Sequence, residues 1–336
     1  MAEWKLGTVV RWDRLSPLLA VFRLMPEGGS PFADYKAGQY IALRREDCRL
    51  THRVKDPGGH VHYPTDVDGD GQEKHGSVAH SYSISSAPWE TREYGHLEFY
   101  IVAETDDDGL PGRLTESLFR IAPTRDDKID YVNRIAGDFT LDKRAAGYRN
   151  VVFVGTGTGL APFVSMVKQL DHDAAGGRVA EGVRYTLFHA NRTLEELAYD
   201  RELEEIEAAG RFDFLYVPSV SRPSRGMDMS RVGTGRANNL LRHVLGMPTK
   251  EEEELTLAEA SQGDVALHRA ALERATKPSL PGRLELRRVQ ERMPAEATVL
   301  LTCGNPFSMA DIKYIADANR LRYEKEDWKL VMPTRA

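Results

Sequence analysis

The sequence predicts two domains, an N-terminal antiparallel β-barrel followed by an α/β domain with a doubly wound parallel sheet. Its 336 residues are more than one typical domain needs. Residues 1–146 contain short segments in which polar and apolar residues alternate between turns, which is typical of a small barrel. Residues 147–336 alternate apolar strands with helical patterns, and this alternation favours a parallel sheet.

The strands of the first half are rich in β-branched and aromatic residues. In chain order, we predict them at KLGTVVRWD, LLAVFRLMP, DYKAGQYIALRR, HSYSISS and HLEFYIVAE. A polar stretch at about 45–78, with several glycines and prolines, predicts a surface insertion. Its DVDGDG segment lacks the glutamate and the flanking helices of an EF-hand, so we expect a solvated loop and no metal site.

The second half begins with a buried strand, RNVVFVGTGTG, that runs into glycines. Two more strands, GVRYTLFHANR and FDFLYVPSVSR, alternate with the helical segments LAPFVSMVKQLDHDAA and LEELAYDRELEEIEAAG. Residues at about 243–290 are mostly helical and exceed one connecting helix, so we predict a helical insertion whose acidic run KEEEEL is a solvated face or a docking surface. The strand ATVLLTC and the helix ADIKYIADANRL follow.

Composition excludes several classes of function. The net charge of −6 gives no electrostatic footprint for nucleic-acid binding, and no apolar run is long enough to cross a membrane. Two cysteines are too few to hold an iron–sulfur cluster or a cysteine zinc site, so redox chemistry needs a bound organic cofactor. The N-terminus lacks an apolar signal core, and we expect a reducing, cytoplasmic location.

The segment GTGTGLAPF predicts a phosphate-binding turn between a strand and a helix. Glycines at 155, 157 and 159 allow a diphosphate to approach the backbone at a helix N-terminus. Pro162 fits a first helical turn, where no amide donor is needed. Because the spacing departs from the G-x-G-x-x-G fingerprint, a purely structural tight turn stays open as an alternative.

Arginines follow the ends of the next two predicted strands. Arg192 follows the second strand, Ser221, Arg222 and Arg225 follow the third, and Arg236 comes soon after. The planar guanidinium binds phosphate through paired donors, so this set favours a ribose 2′-phosphate and hence NADP(H). Any one of these arginines alone is explained equally well as a surface charge.

Motifs across nearly the whole chain resemble those of the ferredoxin–NADP reductase family, in particular its bacterial ferredoxin/flavodoxin–NADP(+) reductases. HSYSISS resembles the flavin-binding motif Arg-x-Tyr-Ser, and GRLT resembles the Gly-x-Leu-Thr diphosphate loop. GTGTGLAPF and CGNPFSM resemble the two nicotinamide-side motifs, and HANRTLEELAY with VPSVSR resembles the NADP-recognition segments. AGDFTLD resembles the linker between the domains of bacterial members.

The resemblance implies a barrel domain that binds FAD and an α/β domain that binds NADP(H), with flavin and nicotinamide meeting in a cleft. Tyr82 would lie against the isoalloxazine, and Ser83 would hydrogen-bond flavin N5, the atom that receives hydride. The other residues that it assigns to FAD are His80, Ser81, Tyr100, Ile101, Val102, Arg113, Leu114, Thr115 and Trp328.

On the nicotinamide side, the resemblance places Thr158 and Cys303 beside the ring and Glu326 near the transferred proton or hydride. Ser83, Cys303 and Glu326 are therefore the expected catalytic residues. Cys303 also fits a small buried apolar residue, which stays open. The other implied nucleotide contacts are Gly157, Gly159, Pro162, Arg192, Ser221, Arg222, Arg236, Gly304, Asn305, Pro306 and Met309.

The chain departs from the family pattern at two positions. His80 stands where the family has an arginine that pairs with the FAD diphosphate, so Arg113 or another cation compensates, FAD binds more weakly, or FMN takes its place. Trp328 resembles a terminal aromatic that covers the flavin, but residues 329–336 follow it. The alternative is that Trp328 only packs the last segment.

The resemblance implies hydride transfer between NADP(H) and FAD, followed by one-electron exchange with a separate ferredoxin or flavodoxin, the activity of a ferredoxin–NADP(+) reductase. Such carriers are usually acidic, so we expect a basic patch near the flavin. One alternative is an NAD(P)H-dependent flavin reductase component that feeds an oxygenase or another dedicated acceptor. A second is a flavin-binding sensor or interaction protein.

Overall fold

A computed structural model describes residues 3–56, 58–59, 61–105, 109–261 and 263–326. The chain divides into two compact units, the first ending at Gly137 and the second beginning at Asp138. This division lies before the expected boundary at 146/147, because the helix α3 (Leu141–Arg144) belongs to the second unit. Among the described helices, none has the length and apolar character needed to cross a membrane.

The first unit is a six-stranded antiparallel sheet with the order β6-β3-β8-β1-β2-β7, which confirms the predicted N-terminal architecture. A backbone hydrogen bond from Ser85 N to Glu98 O (2.9 Å) joins the ends of the two edge strands, so the sheet curls towards closure. The elements of this unit are β1 (Trp4–Ser16), β2 (Leu19–Pro26), β3 (Tyr40–Arg49), β4 (Val54–Lys55), β5 (Val61–His62), β6 (His75–Ser83), α1 (Pro88–Tyr94), β7 (Leu97–Val102), α2 (Arg113–Phe119) and β8 (Lys128–Val132).

The core of the first unit lies on the concave face that strand alternation makes apolar. Phe22 of β2 stacks on Phe99 of β7 at 5.0 Å and on Trp12 of β1 at 5.5 Å between ring centroids. Leu114 and Leu118 of α2 belong to the same buried cluster, so this short helix is fixed against the sheet. The packing holds the start of α2 beside β6, where flavin contacts are expected.

The β3–β6 hairpin is longer than the sequence indicated. Its pairing runs from Tyr40–Ser83 outward to Arg49–His75, with a register shift between Arg45 and Cys48. The ends of the expected insertion are therefore regular strand, and residues 50–74 form the connecting segment. We call residues 50–74 the hairpin extension; β4 and β5 pair within it.

The second unit is a parallel six-stranded sheet, with the order β12-β11-β10-β9-β13-β14, and it confirms the predicted C-terminal architecture. Its central strands β9 and β13 are buried at every position except Thr156, as parallel strands covered on both faces are. Besides α3, its elements are β9 (Asn150–Thr156), α4 (Ala161–Ala175), β10 (Arg184–Asn191), α5 (Asp200–Ala209), β11 (Phe214–Val220), β12 (Gly233–Thr234), α6 (Ala237–Val244), α7 (Lys250–Ser261), α8 (Val265–Arg274), α9 (Leu286–Gln290), β13 (Thr298–Cys303), α10 (Pro306–Ala318) and β14 (Arg322–Lys325).

The helical segment after α6 is docked on its own domain through charged groups. Arg242 is only 1% exposed, and its guanidinium donates to Asp311 Oδ2 (3.0 Å) on α10 and to Glu253 Oε2 (2.9 Å) on α7. Asn239 donates to Glu251 Oε2 at 2.6 Å. The expectation of a solvated acidic run is therefore wrong for Glu251 and Glu253, because these carboxylates bind groups on α6.

Candidate functional site

The hydroxyl groups of HSYSISS divide between two roles. Ser85 and Ser86 are buried, and Ser86 Oγ accepts a hydrogen bond from Glu98 N (3.0 Å). Tyr35 donates to the carbonyl oxygen of Ser86 at 2.9 Å. These two serines therefore stabilise the turn that leads from β6 to α1, and the candidate flavin contacts are the earlier residues of the motif.

Residues 80–83 lie on β6, opposite β3. Tyr82 pairs with Ile41 and Ser83 with Tyr40 in the antiparallel register. Strand alternation places Ser81 and Ser83 on one face and His80 and Tyr82 on the other. Burial, together with the nearby charge of Glu104, raises the pKa of the Tyr82 hydroxyl, so Tyr82 stays a neutral hydrogen-bond donor.

A cavity of about 450 Å³ brings together the residues assigned to the FAD diphosphate. His80 from β6 and Arg113 from the start of α2 both line it. Burial and the charge of Arg113 lower the pKa of His80, so this imidazole is mainly neutral at pH 7. The positive charge of the cavity therefore comes from arginine. The lining residues are Arg49, Thr51, Tyr63, His80, Glu104, Thr105, Leu110, Pro111, Gly112 and Arg113.

The wall of this cavity suits a diphosphate at the turn before α2. No side chain caps the first turn of α2, which leaves the amides of Arg113, Leu114 and Thr115 directed out of the helix. A Cβ on Gly112 would lie 2.8 Å from Thr115 Oγ1, so a larger residue there would displace the Thr115 side chain. Guanidinium groups and free amides are the donors that phosphate oxygens prefer. These residues therefore fit the diphosphate of FAD.

Sequence reasoning did not find Arg49, Tyr63 and Glu104 in this cavity. Arg49 lies near the end of β3, Tyr63 in the hairpin extension and Glu104 after β7, so no local pattern connects them. On β7 itself, Ile101 packs into the hydrophobic core, while Tyr100 and Val102 occupy the opposite face of the strand. The Ile101 side chain is therefore turned away from the face that Tyr100 and Val102 present.

The two glycines after β9, Gly157 and Gly159, have different surroundings. Gly157 has φ +55° and open space where a Cβ would stand. At Gly159 that space holds the backbone of Cys303 and Gly304, so this glycine allows two loops to pack closely. Gly157 is therefore the position at which a phosphate can approach, and Gly159 fixes the turn beneath it. Thr158 is half-buried, and Pro162 lies in the first turn of α4 as expected.

Two of the predicted catalytic residues contact each other. The Cys303 thiol donates to Glu326 Oε2 at 2.9 Å, and the two residues are 1% and 5% exposed. Burial and the Glu326 carboxylate raise the pKa of Cys303 well above its usual value. Cys303 is therefore a protonated hydrogen-bond donor and not a thiolate nucleophile. Neither its contact with Glu326 nor this protonation state was visible in the sequence.

The loop after β13 is fixed by hydrogen bonds at Asn305. Its side-chain oxygen accepts a hydrogen bond from Phe307 N (2.9 Å) and so caps α10. Its backbone N–H donates to Thr156 Oγ1 (3.3 Å). Pro306 and Met309 line a second cavity of about 610 Å³ together with Arg144 and Arg322 of the same unit. Trp328, the expected flavin cover, lies outside the described residues.

The ends of β10 and β11 lie side by side, as the NADP prediction requires. Ser221 N donates to Asn191 O (3.0 Å), and Arg222 N donates to Arg192 O (2.8 Å). The Arg192 guanidinium, however, makes a bidentate pair with Glu196, at 2.9 and 2.6 Å. Arg236 also faces a carboxylate, at 3.4 Å from Glu251.

Arg222 is exposed, and within the described residues it has no carboxylate at ion-pair distance. It is therefore the arginine best placed to bind an external phosphate. Among the same residues, no three His, Cys, Asp or Glu side chains are placed to hold a metal ion.

Comparison with known proteins finds similarity to oxidoreductases. The family profile of the oxidoreductase NAD-binding domain matches residues 153–246. A flavohemoprotein of Halalkalibacterium halodurans is 30% identical over 168 residues, which cover 50% of this chain and 33% of that protein. The flavodoxin/ferredoxin–NADP reductase of Rhodobacter capsulatus is 32% identical over 128 residues, which cover 38% of this chain and 41% of that protein. The chain thus aligns with less than half the length of each relative.

Similarity of fold extends over both units. The crystal structure of a ferredoxin NADP+ reductase from Neisseria gonorrhoeae with bound FAD and NADP matches with a TM-score of 0.56 and 18% identity. This match covers 97% of the present chain and 99% of the other. The matched nucleotide-binding domain, the reductase relatives and the fold over both units make this chain similar to ferredoxin–NADP reductases.

Proposed function

We propose that this chain is an FAD-dependent oxidoreductase that exchanges hydride with NADP(H) and single electrons with ferredoxin or flavodoxin. The observation that carries the proposal is the arrangement at the carboxyl ends of β9 and β13. The chain continues from β9 to β10 on one side, and β13 lies on the other, so the strand order reverses there. Open parallel sheets bind nucleotides at such a switch point.

At this switch point the chain supplies both a phosphate-accepting turn and a proton-bearing group. Gly157 opens the turn after β9, and the Cys303 thiol with Glu326 follows β13. A carboxylate that accepts the hydrogen bond of the thiol orients the S–H bond. Cys303 and Glu326 would thus position the nicotinamide ring by contact and hydrogen bonding.

In the first unit, the chain would bind FAD along the side of β6 and α2. His80, Gly112 and Arg113 line the diphosphate cavity, with Tyr82 and Ser83 next to His80 along β6. When bound, FAD supplies the ability to accept a hydride and release single electrons, which no side chain of this protein has. The hydroxyl group of Ser83 would form a hydrogen bond with flavin N5.

Preference for NADP(H) over NAD(H) would rest mainly on Arg222. Arg192 and Arg236 each have a carboxylate partner that competes with an external phosphate. Arg222 has no such partner among the described residues and is anchored by its backbone to Arg192. A single exposed guanidinium still discriminates, because a hydrogen bond to a charged group contributes about 1.5–3 kcal/mol.

A second candidate function is supply of electrons to an oxygenase or another dedicated acceptor. The observation in its favour is the flavohemoprotein relative, which shares half of this chain at 30% identity. This alternative uses the same flavin and nicotinamide sites and differs only in the partner.

Reduction of candidate acceptors by NADPH tests the proposal and separates the two functions. The holoprotein should reduce catalytic amounts of ferredoxin or flavodoxin, measured by coupled cytochrome c reduction, much faster than it reduces cytochrome c directly. A high rate only with free flavin or oxygen as acceptor would favour the reductase component. No NADPH oxidation with any acceptor would contradict both functions.

A further inference from the structure

We propose that the hairpin extension completes the FAD site and that Tyr63 covers the adenosine part of the cofactor, which makes the chain select FAD over FMN. This inference rests on the proposed FAD site. It gives a role to residues 50–74, which the family resemblance leaves without one.

The first observation is that two separate parts of the chain line one cavity. His80, Gly112 and Arg113 line it from the expected diphosphate side. Thr51 and Tyr63, from the hairpin extension, line it as well. If the diphosphate of a ligand lies at Arg113, the rest of that ligand lies beside the hairpin extension within the same cavity of about 450 Å³.

The second observation is that a buried arginine ties the extension to the diphosphate turn. Arg49 is 6% exposed and donates to Thr65 Oγ1 (3.0 Å) in the extension. The same guanidinium donates to Pro111 O (2.6 Å) and to Glu116 Oε2 (3.2 Å) of α2. Because one planar group binds all three, the extension and the turn before α2 hold a fixed distance from each other.

The extension is itself hydrogen-bonded and does not present Tyr63 on a free loop. Leu50 N donates to Lys74 O (2.8 Å), and Asp66 N donates to Leu50 O (2.9 Å). The strand β5 ends at His62, next to Tyr63, and pairs with β4. The ring of Tyr63 is therefore carried by an ordered ladder at the edge of the cavity.

The third observation is the chemistry of Tyr63 and its surroundings. Its side chain is 45% exposed although it is a large aromatic group, so one surface of it is available to a ligand. Arg113 supplies a cation to the cavity, whereas the Arg49 guanidinium is already paired with Glu116. A flat aromatic surface beside a cation matches an adenosine diphosphate group, because a purine stacks on the ring while phosphates meet the guanidinium group of Arg113.

FMN provides the discriminating control, since it has the flavin and one phosphate but no adenosine. Loss of Tyr63 should weaken FAD and leave FMN unchanged. Stacking of one base on an aromatic side chain corresponds to a change in Kd of roughly tenfold or more on alanine substitution.

The experiment uses the full-length chain freed of flavin and measures Kd values for FAD, FMN and ADP by calorimetry. Tyr63→Ala should raise the Kd of FAD and ADP about tenfold and leave that of FMN unchanged. Tyr63→Phe should retain wild-type values, because the ring is kept. Tyr94→Ala is the matched control, since Tyr94 is 52% exposed on the same unit and lies outside the cavity.

Equal FAD affinity in the wild type and in Tyr63→Ala would overturn the inference while leaving the proposed function intact. Equal weakening of FAD and FMN would also overturn it, because the effect would then not lie at the adenosine. A wild-type protein that binds neither flavin would instead contradict the proposed function, and this inference with it.

Discussion

At the scale of single residues, His80 changes how the FAD site obtains its charge. Where the family pattern has a permanently charged arginine, this chain has an imidazole whose pKa is lowered by burial and by Arg113. Near neutral pH, a neutral His80 leaves the cation to Arg113, which lines the same cavity, because Arg49 is paired with Glu116. Arg113 is therefore the cation that compensates for the missing arginine at position 80.

This replacement predicts a pH dependence of FAD binding. His80 becomes charged only as the pH falls through its lowered pKa, and the charged form favours the diphosphate. The Kd of FAD should therefore decrease from pH 8 to pH 5.5 in the wild type, as measured by fluorescence quenching. His80→Gln should remove most of this pH dependence. If the Kd of FAD still depends on pH in this variant, a group other than His80 is responsible.

Substitution of Ser83 tests the expected hydrogen bond to flavin N5 during hydride transfer. Ser83→Ala should keep FAD bound and slow flavin reduction by NADPH about tenfold or more, because one hydrogen bond at the reacting atom is lost. Stopped-flow absorbance under anaerobic conditions measures this rate. Ser77→Ala, which changes an exposed serine of β6 outside the expected flavin contacts, serves as the control. An unchanged rate in Ser83→Ala would remove this residue from the reaction.

Arg222 is expected to determine the coenzyme preference. Arg222→Ala should raise the KM for NADPH by about 10- to 100-fold, since a charge-assisted contact to the 2′-phosphate is lost, and should change the KM for NADH little. Arg288→Ala, which changes an exposed arginine on α9 of the same unit, serves as the comparison. An equal rise in both KM values for Arg222→Ala would show that this side chain does not read the 2′-phosphate.

At the scale of elements, the contact between the β9 and β13 loops requires glycine at position 159. A Cβ there would collide with the carbonyl group of Cys303, which belongs to the backbone and cannot rotate away as a side chain can. Gly159→Ala should therefore lower the free energy of unfolding by about 1–3 kcal/mol and weaken NADPH binding. Gly263→Ala, where the nearest atom is at 3.5 Å, should change neither quantity in urea titrations and binding assays. Wild-type stability in Gly159→Ala would contradict this close packing.

The elements themselves follow from local patterns to a large extent. The buried run VVFV of β9 and the alternating strands β1 and β2 were predictable because burial on one or both faces leaves a regular trace in sequence. The extent of the β3–β6 hairpin was not, because its outer pairs Arg49–His75 and Cys48–Gly76 are formed by residues that look like loop. These polar residues form a strand because Arg49 is buried and hydrogen-bonded to Thr65, Pro111 and Glu116.

The parts of the site that depend on distant residues could not be predicted. The pair Cys303–Glu326 joins two segments of the sequence through parallel pairing of β13 with β14. The pair Arg192–Glu196 differs, because its spacing of four residues is visible in the chain and indicates a local ion pair. That spacing therefore favours an ion pair for Arg192 over a role as a phosphate ligand.

At the scale of the whole molecule, each compact unit supplies one half of the proposed chemistry. The unit that ends at Gly137 contains the cavity lined by His80 and Arg113, and the unit that begins at Asp138 contains the turn at Gly157 with Cys303 and Glu326. Neither half alone can move a hydride from a nicotinamide to a flavin. The central claim is therefore that one chain contains both a functional flavin site and a functional nicotinamide site.

Anaerobic titration of the purified holoprotein with NADPH, followed by its visible absorption spectrum, tests this claim most directly. The account predicts a flavin spectrum, released cofactor that identifies as FAD, and stoichiometric bleaching by NADPH that is faster than bleaching by NADH. A protein that contains no flavin, or whose bound flavin stays oxidised in excess NADPH, would contradict it.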